Sequence, residues 1–572
     1  MSTRSPGWTK KGTTAAWYLL AGLLMLTGCT ASFDRRAADR ASYNLIAEKA
    51  RDVPGMSTDV DIDNKTVIDL SPYPRNDQSF DFLGSYADNE VGARIISLEA
   101  ALDLAFAHNR DYQLQRERLY LQALSLTLDR YLYTPIFSAT ANGTYDWDES
   151  NEFVQDVQTL VQEPSGGFVT DETFSGRAST GGRFLLRSGG TIALNLTSNL
   201  TRFLTGNMDE NTSSALIGSF TQPLLRGAGS RVAAENLLQA ERDLLYQLRE
   251  FTRFRQQLSV RIATQYYNVL QSRDVVRNNF LGLNAVQLSL ERERAFQAEG
   301  LRTPGQVGRL EQSALQRDLS WVRSITRYTN GLDTLKIQLG LRTDEDIMLD
   351  DAEMLAVAEA GMVSPDLDME TALELAVANR LDLFTEVDQI QDRARKVEVA
   401  ANNLLPGLNL VLNASVPGPD NAIGNLDFRL TDYQAGIEID LPVDRMSERN
   451  AHRRALIDLE AAIRSYELAV DSVKLEVLNA WRDMQEAERD FEISQSSVEI
   501  NERRVEEAEL RAELGLGDIQ DTVDAQNDLT NARTALSGAI VNHNVAKLAL
   551  WRDIGLLYVD EQGQWEEGIN AR

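Results

Sequence analysis

Along the C-terminal part of the chain, apolar residues return at every seventh position: Leu456, Ile463, Val470, Val477, Met484, Phe491, Val498, Val505 and Ala512. Part of the same series stands earlier, at Ile262, Val269, Val276, Leu283 and Leu290. A straight α-helix repeats every 3.6 residues, so a sustained step of seven stays on its partner only if the helices wind round each other. The pattern predicts long coiled helices over about 230–298 and 445–513. At 1.5 Å per residue the first is roughly 100 Å long. Each runs to a glycine, Gly300 or Gly515. There the chain turns, and a second helix (521–555 in the later case) returns to Leu339-Gly340-Leu341 or Ile554-Gly555-Leu556. Two antiparallel hairpins of this length suit the crossing of a wide compartment, not a globular core.

Between the helices the period changes to two. Leu408, Leu410 and Leu412 alternate with Asn409, Val411 and Asn413. After a loop, Tyr433, Ala435, Ile437, Ile439 and Leu441 alternate with Gln434, Gly436, Glu438 and Asp440. Strands are therefore expected over about 407–416 and 431–441, with counterparts over about 136–147 and 213–222. In 136–147, Phe137, Ala139, Ala141, Tyr145 and Trp147 share one face. An apolar face backed by a polar one over about ten residues fits a barrel strand between lipid and water. A half-buried soluble hairpin gives the same alternation. Ile192, Leu194, Leu196 and Leu200 mark a further amphipathic strand in the long loop 148–212, and the sequence leaves open whether it joins the same sheet.

The chain also echoes itself. Tyr266, Gly300 and Gly340 correspond to Trp481, Gly515 and Gly555, each 215 positions on; Leu98 to Ala105 resembles Met369 to Ala376, and Pro135 precedes Pro406 by 271. A duplication of this size implies one pseudo-symmetric body with two halves.

Composition narrows the setting. The chain has 572 residues, 43% hydrophobic, with 13 Pro and a net charge of −29. Arg4, Lys10 and Lys11 precede a short apolar run from Ala15 to Leu26 and then Leu26-Thr27-Gly28-Cys29. The run is too short for a spanning helix. This segment resembles a bacterial lipoprotein signal, which implies cleavage before Cys29 and lipidation of its thiol. Thr30 in place of Asp implies outer-membrane sorting. A plain secretory signal is the alternative, but Cys29 is the only cysteine and has no disulfide partner in the chain. Residues 1–28 hold three bases and no acids, so without them −29 becomes −32. Such a charge excludes nucleic acid as a partner. No apolar run of about 18 residues follows Cys29, so any membrane crossing must use strands.

The order helix, strand, loop, strand, long helix, glycine turn, helix, then all of it again, resembles the TolC-like outer membrane efflux protein family. The resemblance is carried by Leu98 to Ala105 with Asn109, Ser219 to Leu225, Tyr266-Tyr267, Gly300 to Leu315, Leu373 to Asn379, Ile439 to Pro442 and Gly515 to Gln526. It implies a mainly α protein with β: a homotrimeric 12-stranded outer-membrane barrel, four strands per chain, continued by a coiled-coil helical tunnel through the periplasm. The corresponding divisions are a signal peptide (1–28), an irregular acidic arm (29–94), a first repeat (95–341), a linker (342–366), a second repeat (367–557) and a tail (558–572). The implied function is the passive exit duct of a tripartite efflux or type I secretion system. Its implied partners are further copies of itself, a periplasmic adaptor (membrane fusion) protein, an inner-membrane pump of RND, ABC or MFS type, and outer-membrane lipid. A lipid-anchored coiled-coil adaptor without a pore is the alternative.

By the same resemblance Asp521 and Asp524 form a periplasmic gate, a carboxylate ring under threefold symmetry; helix capping is their plainer reading. Gln306 stands 215 before Asp521, so a charged latch would be lopsided. Gly300, Leu301, Arg302 and Thr303, with Gly515, Leu516, Gly517 and Asp518, are adaptor-docking tips or ordinary solvated turns. Tyr145, Trp147 and Tyr433 are membrane-interface aromatics or packing residues. Nothing gathers into an enzyme site. His108, His452 and His543 lie on separate segments without ligand spacing, no phosphate-loop pattern occurs, and neither cofactor nor metal is expected.

Overall fold

The computed structural model describes residues 31–57, 60–62, 68–155, 162–205, 210–360, 365, 367–419, 424–514 and 519–567. In chain order its main elements are α1 (Ala31–Ala50), β1 (Arg94–Ile96), α2 (Leu98–His108), α3 (Arg110–Tyr131), β2 (Ile136–Gln155), β3 (Gln162–Leu185), β4 (Thr191–Phe203) and β5 (Glu210–Pro223). The long helices α4 (Glu235–Ala298) and α5 (Pro304–Gln338) follow, then β6 (Ile347–Leu349), α6 (Ala352–Ala360), α7 (Met369–Asn379) and α8 (Leu381–Asn402). The chain ends with β7 (Gly407–Pro417), β8 (Asp432–Asp440), α9 (Met446–Glu513), α10 (Ile519–Ile554), β9 (Leu557–Val559) and β10 (Trp565–Glu567). Helices predominate and a sheet accompanies them, as the sequence pattern requires. Element lengths recur between the halves: α2 and α7 have 11 residues each, α3 and α8 have 22 each.

Two compact units can be separated: Met1–Leu121 with Leu245–Glu386 and Tyr466–Arg572, and Gln122–Leu244 with Val387–Ser465. The first is helical. Ser97 caps α2 by accepting from the Ala100 amide at 3.2 Å. Asn109 then separates α2 from α3. Its backbone is extended, its Oδ1 accepts from the Tyr112 amide at 2.9 Å to start α3, and its Nδ2 donates to the Gln338 carbonyl at 2.7 Å. Gly340 is needed close by: its φ is +77°, and a Cβ there would lie 2.3 Å from the His108 carbonyl oxygen.

The seven-step stripe behaves differently in the two halves. Ile262, Val269, Val276, Leu283 and Leu290 are all buried, whereas Val477 and Met484 are the buried members of the second series. A buried charge cluster ties the segment before α2 to the first hairpin. Arg273 and Glu90, each about 1% exposed, pair at 2.8 Å, and the Tyr328 hydroxyl donates to Glu90 at 2.7 Å. Arg273 also pairs with Asp351, which Arg277 reaches at 2.7 Å, and lies over Phe80 and Phe82. Burial pushes the Tyr328 hydroxyl well above its ordinary value, with the Glu90 charge adding to it.

One reading needs correction here. Residues 29–94 are not irregular throughout, because Ala31–Ala50 is a helix that buries Ser42, Leu45, Ile46 and Ala50 on one side. Its many charges, spread over the other faces, hide that narrow stripe.

The second unit carries the sheet, ordered β2-β3-β4-β5-β7-β8 with every neighbouring pair antiparallel. All four expected strands are present, but among the described residues the sheet has six strands, not four. The strand marked by Ile192 to Leu200 is in the sheet as β4, and β3 precedes it. β3 escapes detection because its face toward the apolar side is built from Gly176, Ala178, Thr180 and Gly182 between Phe174 and Phe184, which is uncharged without being strongly hydrophobic.

The charge cluster makes a first prediction. Arg273→Met should leave the Glu90 carboxylate buried without its countercharge, lowering stability by about 3–5 kcal/mol. Denaturant titration of the detergent-solubilised protein checks it, and an unchanged midpoint would show the cluster to be energetically neutral.

Candidate functional site

Two regions hold the residues singled out by sequence. The first is the start of α10. Asp521 and Asp524, three residues apart on the first turns, are both exposed, while Thr522, Val523, Ala525 and Gln526 turn inward and are buried. That split follows from helical spacing, since i and i+3 share a face. Asp524 accepts from Gln520 Nε2 at 2.9 Å. Behind the carboxylates, Thr522 Oγ1 donates to the Ala508 carbonyl at 3.4 Å and Gln526 Nε2 to Glu509 at 3.1 Å, which fixes α10 against α9.

Val523 does more. It joins Val286, Leu290, Val307, Leu310 and Ala314 in one buried apolar cluster, so the carboxylate turn of the second hairpin is seated on the first hairpin. Arg317 Nε donates to Asn527 Oδ1 at 2.6 Å from the same side, and Arg504 pairs with Asp528 at 2.5 Å. Sequence reading missed this anchorage. Its signal was present, since Val523 is the one large apolar residue between the two carboxylates.

The first hairpin's tip is closed by its own residues. Gly300 has φ +75° and turns the chain. Thr303 and Gln306 form a reciprocal capping box at the start of α5 with Pro304 next. Arg302 is held back: its Nε donates to Glu293 at 2.7 Å and its guanidinium sits 5.9 Å from the Phe296 ring centre. Leu301 stands out, 68% exposed. Gln306, the counterpart of Asp521, is thus engaged in capping and offers no matching charge. Gly515, Leu516, Gly517, Asp518 and Cys29 lie outside the described residues.

The second region is the sheet. Residues paired across antiparallel strands share a face, and the faces alternate along each strand. The register therefore places Phe137, Gly182, Leu194, Gly218, Ala414 and Tyr433 in one row on one face. Tyr145 and Trp147 of β2 fall on this face too, as do Leu216, Phe220, Leu408, Leu410, Leu412, Ile437 and Ile439. Tyr145, Trp147 and Tyr433 are all exposed in the single chain, as are Phe137, Ile437 and Ile439. The opposite face carries Asp146, Arg177, Arg183, Asn195, Asn199, Asn409, Asn413, Glu438 and Asp440. Among the described residues, the outer edges of β2 and β8 have no strand beside them.

No metal-holding cluster of His, Cys, Asp and Glu occurs among the described residues, and no described helix is long and apolar enough to cross a membrane. Burial pushes His108 and His543 below the ordinary histidine value.

Comparison with known proteins agrees with this geometry. Residues 372–555 match the family described as Outer membrane efflux protein. No curated protein matches the chain at a significant level. Among solved structures the fold is similar to the CmeC outer membrane channel of Campylobacter jejuni, at 13% identity and TM-score 0.58, covering 84% of this chain and 89% of that one. It is also similar to the outer membrane protein VceC of Vibrio cholerae, at 16% identity and TM-score 0.57, covering 80% and 96%. The open-state MtrE outer membrane channel of Neisseria gonorrhoeae matches at 15% identity and TM-score 0.51, covering 80% and 88%.

The apolar seat under the carboxylates is testable. Val523→Ala removes two buried carbons and should loosen the start of α10 by about 2 kcal/mol without altering any charge. Amide hydrogen exchange over 519–530 should quicken accordingly; unchanged exchange would show that Val523 does not hold this turn.

Proposed function

We propose that this chain, whose residues 372–555 match the Outer membrane efflux protein family and whose fold is similar to those of outer-membrane channels, is the exit duct of a tripartite efflux or type I secretion system. One observation carries the reading: a sheet apolar on one face, polar on the other, and open at both edges. In hydrocarbon an open edge leaves backbone groups unsatisfied, at several kcal/mol each, so the sheet requires closure with further copies. Closure puts the apolar face against lipid and the polar face around water.

The helical unit supports association independently. Ile493 and Ile500 on α9, with Leu514 just past its end, follow a seven-residue step and are more than half exposed; Leu281 and Leu288 on α4, and Leu315 and Val322 on α5, are exposed at the same step. Apolar lines on both hairpins of a lone chain suit a cyclic trimer, in which each copy's second hairpin meets the next copy's first. The trimer stands in the outer membrane of a Gram-negative bacterium and reaches into the periplasm, with Cys29 acylated as an accessory anchor. Exposed Leu301 and the residues 515–518 receive the adaptor, which links the duct to an RND, ABC or MFS pump. No nucleotide chemistry belongs to the duct itself. Asp521 and Asp524, repeated three times, form a carboxylate ring at the periplasmic mouth, and opening moves the turn that Val523 seats.

Two measurements test the reading. Asp521→Asn with Asp524→Asn should raise single-channel conductance in planar bilayers and weaken block by multivalent cations at least about five-fold. Unaltered block would move the gate elsewhere. Ile493→Glu with Ile500→Glu should shift the detergent-purified protein from trimer to monomer in light scattering, since each isoleucine buried between copies contributes about 1.5–3 kcal/mol. A wild type that is monomeric, makes no pore and becomes soluble once Cys29 is replaced would instead be an anchored coiled-coil adaptor.

A further inference from the structure

We infer that the trimer closes a barrel of eighteen strands, with β3 and β4 forming part of the membrane wall. This rests on the duct reading above and sets the width of its outer-membrane section.

The sheet register carries the argument. β3 and β4 are central strands: β3 pairs with β2 and β4, and β4 pairs with β3 and β5, without a break over Thr173–Arg183 and Thr191–Arg202. A hairpin folded away from the wall would interrupt the β2-to-β5 row, and none does. Both strands also obey the two-face rule of their neighbours. On β4, Ile192, Leu194, Leu196 and Leu200 share the face of Phe137 and Leu412, while Asn195, Thr197 and Asn199 take the other. On β3, Phe174 to Phe184 is uncharged on the apolar side, with Arg177 and Arg183 opposite. The apolar band is the right height. It spans nine residues on β4 and eleven on β3, and the first charges on that face, Arg202 and Glu172, stand just beyond it. About 9–11 residues is what a tilted strand needs to cross a bilayer.

Strands about 4.8 Å apart and tilted about 40° give a backbone diameter of about 36 Å for eighteen strands and about 24 Å for twelve. Barrels of 16–18 strands leave an aqueous channel, and two helices about 10–12 Å wide would pass abreast. The wall within the membrane therefore sets no tight limit on cargo.

The test is single-cysteine labelling of the full chain in outer-membrane vesicles with a membrane-impermeant maleimide, read against the parent protein. On β7, Asn413→Cys should react and Leu412→Cys should lag about thirty-fold, because the reactive thiolate would have to form in hydrocarbon. On β4 the same lag is expected for Leu196→Cys against Thr197→Cys, and on β3 for Thr180→Cys against Ser179→Cys. Alternation on β7 with equal, fast labelling on both faces of β3 and β4 would overturn the eighteen-strand wall and leave a four-strand duct intact. Loss of alternation on β7 as well would overturn the duct reading and this inference with it. Conservative replacements at several sites guard against one variant misfolding.

Discussion

A strand in hydrocarbon must find a partner for every backbone N–H and C=O, and the sheet of this chain cannot do so alone. Its edges, β2 and β8, are the outer members of an otherwise complete antiparallel order. Most other features answer that requirement. With an even number of strands per chain, β2 and β8 run in opposite directions, so β8 of one copy can continue antiparallel onto β2 of the next. The exposed apolar steps at Ile493 and Ile500, and at Leu281 and Leu288, then become contacts between copies instead of wasted surface. On the proposed reading, what a lone chain lacks is supplied by further copies of itself.

The helical unit divides its labour unevenly between two similar hairpins. The first is made rigid from within: its seven-step stripe is buried, and Arg273, Glu90, Asp351 and Tyr328 fasten it to neighbouring segments. A buried ion pair is weak evidence for net stability but specifies one arrangement, because misplacing either partner strands a charge. The second hairpin buries less of its stripe within the chain, and its tip region rests on a small apolar seat at Val523 and a few polar contacts. Low local burial is the physical condition for a segment that moves. On the proposed duct reading, the element that opens is the charged one near Asp521 and Asp524, and the capped, uncharged tip at Thr303 and Gln306 is its counterpart.

Much of this was legible in the sequence because it is periodic. The step of seven located α4 and α9, the glycines at 300 and 340 marked turns at positive φ, and alternation located β5, β7 and β8 close to their observed bounds and β2 at its start, though β2 runs on to Gln155. What periodicity could not show were features fixed by partners distant in sequence. β3 reads as a loop because a lipid-facing surface needs only to lack charge, and Gly176, Ala178, Thr180 and Gly182 meet that need without a hydrophobic signal. The split at Asn109 depends on a carbonyl at Gln338, far along the chain. Arg273 looks like any other arginine of a charged helix until Glu90 is brought against it. The candidate site was half legible: the carboxylates stood out, whereas their seat did not.

The added strands also show what kind of change a duplicated wall protein can accept. Both halves leave a helix, enter the sheet near a proline, and return to a long helix at the same end of the sheet: Ile136 and Pro223 in one half, Gly407 and Asp440 in the other. A single inserted strand would bring the chain out at the opposite end, where α4 could not follow. A pair restores the direction. It leaves the edges β2 and β8 untouched, so the contacts between copies need no redesign. The tight turn between β3 and β4 fits this constraint. Gly189 has φ +90°, and a Cβ there would lie 2.5 Å from the Gly227 carbonyl oxygen, so the chain reverses close against the segment that leads into α4. If the wall closes as proposed, widening by a hairpin inside one half alters its bore while leaving the edges β2 and β8 to join the copies.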